Sequence, residues 1–262
     1  MTEAALIKVD HPLPGVQRIT MSKPDALNAL SSDMMNALQA QLTQVSTDAR
    51  CRVLILAAQG KAFSAGHDLR EMRAQPELSF YQQLFAQCSK LMLTLQQLPQ
   101  PVIAQVQGIA TAAGCQLVSM CDLAIASDSA RFAVSGINYG LFCSTPSVGL
   151  ARNVGRKKAL EMLLTGDFID AQQAVNEGLI NRCVPAEQLE ESVLTLCQKI
   201  VAKPPASIRL GKSLFYQQVE LGIAAAYQLA GQTMACNMMD EAAQEGFQAF
   251  IDKRSPKWSE PL

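Results

Sequence analysis

Apolar positions fall into two regimes along this chain. Up to about Pro146 they form short unbroken runs separated by glycine- and proline-marked breaks, and beyond it they recur at helical spacing. In the first regime, 6–9 and 16–21 read as strands joined by a turn around His11-Pro12-Leu13-Pro14-Gly15. Ser31-Ser32-Asp33 offers an N-cap for a helix to about Val45, whose apolar face is Met34, Leu38, Leu42 and Val45. Residues 53–57 are a continuous apolar run of the kind buried on both faces in α/β proteins. A loop over 59–68 leads to a helix over about 80–98, which ends at Pro99. A strand over 102–106, a helix over 111–120 and short strands over 123–126 and 132–134 follow. In the second regime, helices are predicted over 159–164, 171–178, 189–202, 207–218, 223–234 and 241–251, with one strand over 179–184. Strands crowding the first half and helices the last third give an α/β class, a core over 1–203 and a helical region over 204–262, with Pro204-Pro205 as the hinge.

Composition narrows the function classes. The chain has 262 residues, 49% of them hydrophobic, which suffices for a sizeable core, and a net charge of −1. With 22 basic and 23 acidic residues and no long like-charge block, neither nucleic acid nor an anionic membrane surface is an expected partner. Apolar stretches stop well short of the roughly 18 residues of a membrane span, and the first residues lack the layout of a secretion signal. Eight cysteines without a CxxC pair, and only His11 and His67, argue against a metal site. Several of the thiols lie in apolar company, which reads as buried free cysteines in a reducing compartment, with the cytoplasm expected.

Candidate chemistry centres on 102–149, where small residues at Ala110, Ala112, Ala113 and Gly114 let backbone approach a ligand closely at a helix start. Other motifs fail. No GxGxxG occurs; Leu210-Gly211-Lys212-Ser213 ends like a phosphate loop, but Ala206 stands where its first glycine is required. Ser147-Val148-Gly149 ends like a nucleophile elbow, but Thr145 replaces its first glycine.

Three segments together resemble the crotonase (enoyl-CoA hydratase/isomerase) superfamily. They are 23–30 (KPDALNAL), 61–69 (KAFSAGHDL) and 106–122, from Val106-Gln107-Gly108 through Gly114-Cys115-Gln116-Leu117 to Cys121-Asp122. Their order and spacing match, and the likeness spans essentially the whole chain. The GHDL, AAGCQL and GLFCSTP stretches point to one subgroup within it. The resemblance implies a spiral of ββα turns followed by helices used in homotrimer or dimer-of-trimers assembly. It implies lyase- or isomerase-type chemistry on acyl-CoA in fatty acid metabolism, with no cofactor beyond the coenzyme A of the substrate. Two backbone N–H groups, which fall on His67 and Ala113, would form an oxyanion hole for the thioester oxygen. The CoA-contacting positions fall on Lys23 to Ala26, on Ala65, Asp68, Leu69 and Arg70, and on Lys253. Tyr139 and Cys143 fall in the segment lining the acyl pocket.

The pattern is incomplete. The two glutamates that hold water in a hydratase of this family fall on Gln116 and Gly136. Glutamine exchanges no proton at neutral pH and glycine has no side chain, so ordinary hydration is expected to be weak or absent. A decarboxylase related to methylmalonyl-CoA decarboxylase shares GHD and Asn-x-Gly segments, but its tyrosine falls on Cys143. A non-catalytic acyl-CoA-binding protein is the third reading. Several roles stay open at this level. The His67 side chain is a catalytic imidazole or a packed loop histidine, and Cys143 a nucleophile or pocket lining. Tyr139 is a proton donor or packing, while Ser144 and Thr145 bind a polar acyl group or satisfy the loop. Asp68 reads as a helix N-cap and Asp122 as a cap or turn anchor. Lys23, Arg70 and Lys253 bind phosphates or are solvated surface charges.

Overall fold

Each turn of the chain through the core repeats one pattern: a strand of five or six residues, a tight crossing, a three-residue strand and a helix. The computed structural model describes residues 5–258. A hairpin of β1 (Ile7–Leu13) and β2 (Val16–Met21) leads through α1 (Ser32–Thr47) into the first turn, made of β3 (Val53–Ala58), β4 (Ala62–Ser64), α2 (Leu69–Ala74) and α3 (Leu78–Gln97). The second turn is β5 (Val102–Val106), β6 (Ile109–Thr111) and α4 (Ala113–Met120), and the third β7 (Leu123–Ser127), β8 (Arg131–Ala133) and α5 (Ser144–Asn153). The chain continues through α6 (Arg156–Thr165), β9 (Ile169–Asp170), α7 (Ala171–Asn176), β10 (Arg182–Val184) and α8 (Leu189–Val201) to α9 (Pro205–Gln218), α10 (Ile223–Met238) and α11 (Glu241–Ile251).

The longer strands form a six-stranded sheet, β1-β2-β3-β5-β7-β10, parallel except for the β1–β2 hairpin, and the short strands a second sheet, β4-β6-β8-β9. This is the ββα spiral that the resemblance implies. Alternation within β3 builds two cores. Leu54 and Leu56 join Met34, Leu38, Leu42 and Leu91 on one face, whereas Val53, Ile55 and Ala57 join Leu189, Val193 and Cys197 of α8 on the other. Burial on both faces explains why the run carries no polar alternation. Among the described residues no helix is long and apolar enough to cross a membrane.

Several sequence expectations need correction. The first strand runs through His11 and Pro12 to Leu13, which pairs with Val16, so the turn is only Pro14-Gly15, with Gly15 at φ +77°. The expected 59–68 loop contains β4, and the expected helix from 111 begins at Ala113 because 109–111 form β6. No element is predicted between 134 and 159, yet Ser144–Asn153 form α5. The caps come out as expected. Ser31 accepts from Met34 N at 3.2 Å, and Asp68 accepts from Arg70 N at 2.8 Å and Glu71 N at 3.2 Å.

Asp122 does more than fix a turn. Its carboxylate accepts from Val102 N (2.6 Å), Lys212 Nζ (2.7 Å) and Tyr216 OH (2.8 Å), and Lys212 Nζ also donates to Leu95 O and Gln100 O, both at 2.9 Å. This buried pair fastens α9 to the spiral. Burial pushes the Asp122 carboxyl up and the Lys212 ammonium down from their usual pKa values, each opposed by its partner's charge.

Candidate active site

The site is assembled where β4 and β6 meet the first turn of α4. Side chains are excluded there because backbones touch: a Cβ at Gly114 would run into Ser64 O, and one at Gly108 into Lys61 O. Asn28, fully buried in a left-handed conformation (φ +50°), pins the segment before β4. Its Nδ2 donates to Gln59 O and Ala62 O at 2.8 Å, its Oδ1 accepts from Lys23 N at 2.9 Å, and its carbonyl accepts from Ser64 Oγ at 2.9 Å. The sequence signal was present in the KPDALNAL segment, since asparagine tolerates φ > 0, but three of its four partners, Gln59, Ala62 and Ser64, lie more than 30 positions away.

The loop after β4 then crosses the start of α4. Gly66 (φ +92°) lies so close that an added Cβ would be 3.2 Å from Ala113 N and 2.9 Å from Ala112 Cβ. His67 and Ala113 thus become neighbours although 46 positions separate them in sequence (113 minus 67). Ala113 opens α4, so its N–H lies outside the intrahelical ladder. Among the described residues, no loop or turn carbonyl accepts from the N–H of either His67 or Ala113.

Both residues line a cavity of about 270 Å³. Ala65, Leu69, Gly136, Tyr139 and Cys143 lie on its wall, and so do Met72 and Phe85, which the sequence did not single out because both fall outside the three motif segments. Ser144 and Thr145 are on the wall too. Thr111 Oγ1 and Ser135 Oγ share a 2.7 Å hydrogen bond that ties β6 to the turn bearing Gly136. Among the described residues no lysine, arginine, aspartate or glutamate lines this cavity. A larger cleft of about 380 Å³ between the spiral and α9 includes Arg52, whose guanidinium donates to Lys203 O at 2.6 Å just beyond α8.

The remaining expected positions stand off the wall. Gln116 is buried one turn further along α4, its Oε1 without a partner among the described residues, and Lys23, Ala26, Asp68, Arg70 and Lys253 do not line the cavity. The turn bearing Lys23 and Ala26 lies beside it, because Ala65 N donates to Leu27 O at 3.0 Å. Gly136 has no room for a side chain: a Cβ would lie 2.6 Å from Leu141 O and 2.8 Å from Cys143 Sγ.

Two side-chain questions are narrowed by these surroundings. His67 Nδ1 is 3.2 Å from Leu30 O, so the neutral ring carries its proton on Nδ1, and Nε2 is buried with no partner among the described residues. Burial pushes its pKa down, against smaller opposing effects of Leu30 O and Glu71. Phe85 packs edge-on against the ring with centroids 5.5 Å apart. This is a packed, neutral imidazole. Burial likewise pushes the Cys143 thiol up, with a smaller opposing bond to Gly136, which keeps it protonated and a poor nucleophile. Tyr139 is 77% exposed, so it stands at the mouth and does not pack.

The enoyl-CoA hydratase/isomerase family matches residues 13–261. Mitochondrial enoyl-CoA hydratase domain-containing protein 3 is 44% identical in rat, over 94% of this chain and 82% of the rat protein. The human protein is 44% identical over 95% of this chain and 83% of its own length. An enoyl-CoA hydratase structure from Mycobacterium smegmatis superposes with TM-score 0.96 at 55% identity, covering 97% of this chain and 99% of that one. The human domain-containing protein 3 structure gives 0.94 at 42%, covering 97% and 100%. The cytoplasmic expectation is corrected by the rat and human relatives, which are named mitochondrial. Free thiols report a reducing compartment and do not distinguish the cytoplasm from an organelle's interior. A match over nearly the whole length, in sequence and in fold, means that the chain belongs to the enoyl-CoA hydratase/isomerase family.

Proposed function

We propose that the cavity binds an acyl-CoA thioester and polarises it, the carbonyl oxygen accepting from His67 N–H and Ala113 N–H as enolate character develops. The observation that carries this reading is the packing of Gly66 on the first turn of α4, which brings two amides without loop or turn acceptors to one apolar wall. Preorganised donors in a water-poor site are worth about 3 kcal/mol each to the barrier.

Ordinary hydration is weak in this reading. The Gln116 amide transfers no proton and stands off the cavity wall. At Gly136 a side chain would first have to displace Leu141 O. The uncharged wall also weighs against the decarboxylase alternative, because a buried acyl carboxylate would have no cation to pair with.

Calorimetric titration with butyryl-CoA should give saturable binding, and its absence would refute the reading. Crotonyl-CoA hydration should run at least about 10²-fold below that of a family member bearing both glutamates. Gln116→Glu alone should raise it little, because no second carboxylate is present. Loss of CO₂ from methylmalonyl-CoA, followed by mass spectrometry, would favour the decarboxylase instead.

The same chain is proposed to assemble as a homotrimer or a dimer of trimers through the region after 204. Phe250 (84% exposed), Ile223 (75%) and Tyr227 (74%) leave large apolar side chains in solvent on α10 and α11. Lys253 follows α11, in the part of the chain that would meet a second copy's CoA. Light scattering should return a mass of three or six chains, and a monomer at micromolar concentration would refute this assembly.

A further inference from the structure

The peptide leading into Ala113 is held in a conformation that alanine rarely adopts. Ala112 has φ +50° and ψ −122°. Leu27, by contrast, has φ 52° and ψ 33°, an ordinary left-handed residue. The Ala112 angles lie outside that basin, in territory left largely to glycine. Such a conformation persists only when its surroundings enforce it. Here Ala112 N donates to Ala133 O and Ala112 O accepts from Gln116 N, both at 3.0 Å. The methyl group fills the space that Gly66 leaves by having no side chain, as the 2.9 Å approach to a Cβ built at Gly66 shows.

We propose that Ala112 is a positioning residue whose enforced backbone aims the Ala113 N–H at the cavity. The inference rests on the oxyanion reading above. Stability alone favours glycine at this position, because glycine adopts these angles without steric cost. Glycine would also free the peptide to rotate and would remove the methyl wedged against Gly66. Alanine admits few conformations at this point, and the surrounding bonds select the one that faces the ligand. The strain and the aim of the donor are therefore one feature.

Ala112→Gly separates the two consequences. The probes are acetoacetyl-CoA, whose acyl group enolises, and butyryl-CoA, whose acyl group does not readily do so. In the variant the melting temperature should rise by roughly 2–4 °C. The preference for acetoacetyl-CoA over butyryl-CoA should fall about tenfold, because one fixed donor loses its aim. Ala112→Ser, which keeps a Cβ, should retain the parent preference. A higher melting temperature with the preference intact would overturn the inference. So would a lower melting temperature with both affinities reduced, which is the signature of a packing role. Binding of neither ester by the parent protein would overturn the oxyanion reading itself, and this inference with it.

Discussion

Replacing Lys212 with methionine should cost about 3–5 kcal/mol of stability, the range for breaking a buried ion pair on one side. All three donors of this ammonium are used, on Leu95 O, Gln100 O and Asp122 Oδ2. Methionine fills much of the same space and supplies none of them. Asp122 keeps Val102 N and Tyr216 OH as donors, so its charge becomes underpaired, not bare. The folded-state pKa of Asp122, already raised by burial, should then rise further. A carboxyl whose folded pKa lies above its unfolded value is most favourable below the unfolded pKa, near 3.8. Its contribution is lost as pH rises through the folded pKa. The deficit of Lys212→Met should accordingly be largest near neutral pH and shrink toward pH 4. In thermal melts it should appear as a fall of roughly 6–20 °C. Adding Asp122→Asn should recover part of the loss. A fall of only a degree or two, or a deficit that does not change with pH, would show that α9 is held by its apolar contacts instead.

Lys212 also illustrates what the sequence could and could not disclose. Read locally, it ends a failed phosphate-loop pattern, and its partner Asp122 is 90 positions away (212 minus 122). No local rule connects them. What was legible depended on short range. The apolar run of β3, the caps at Ser31 and Asp68, and the helical spacing of α8 to α11 follow from neighbouring residues alone. The three-residue strands β4 and β6 escaped because so short a segment has no period, and they exist only by pairing with each other and with β8. Helix α5 escaped because it contains Pro146 and Gly149, residue types that ordinarily interrupt a helix. Pro146 sits in its first turn, where no intrahelical N–H is needed. Gly149 packs against Ser119 and Met120 of the preceding turn. The site was legible only as motifs. KAFSAGHDL and AAGCQL supplied His67 and Ala113, but nothing in the letters places Gly66 under Ala112 or gives Ala112 a positive φ, since alanine is not a residue that advertises one. The cavity wall was least legible, because Met72 and Phe85, which no motif marks, come from two different helices.

Gly114→Ala should be among the most damaging single-methyl additions in this chain. The new Cβ would meet Ser64 O, with Ser64 C at 2.7 Å and Ser64 Cβ at 2.8 Å, so backbone and not a movable side-chain tip stands in the way. Relief requires α4 to move off β4. Ser64 cannot yield easily, because its Oγ donates to Asn28 O at 2.9 Å and accepts from Gly66 N at 3.3 Å. The displacement therefore passes to Ala113 on one side and to the loop bearing His67 on the other, the two donors proposed for the thioester oxygen. Overpacking of this kind costs about 1–3 kcal/mol or more. Loss of one aimed donor should lower the preference for an enolising CoA ester by about tenfold or more. Gly211→Ala is the matched control. Gly211 lies within α9 with none of the described residues within 4 Å of its added Cβ, and there the same methyl should stabilise by about 1 kcal/mol through helix propensity. Ligand preference should not change in that variant. Equal behaviour of the two variants, in melting temperature and in discrimination between acetoacetyl-CoA and butyryl-CoA, would mean that the β4–α4 contact tolerates a methyl and does not set the site. Opposite signs would tie the close approach of these two backbones to both the fold and the chemistry, because one displacement would have disturbed both.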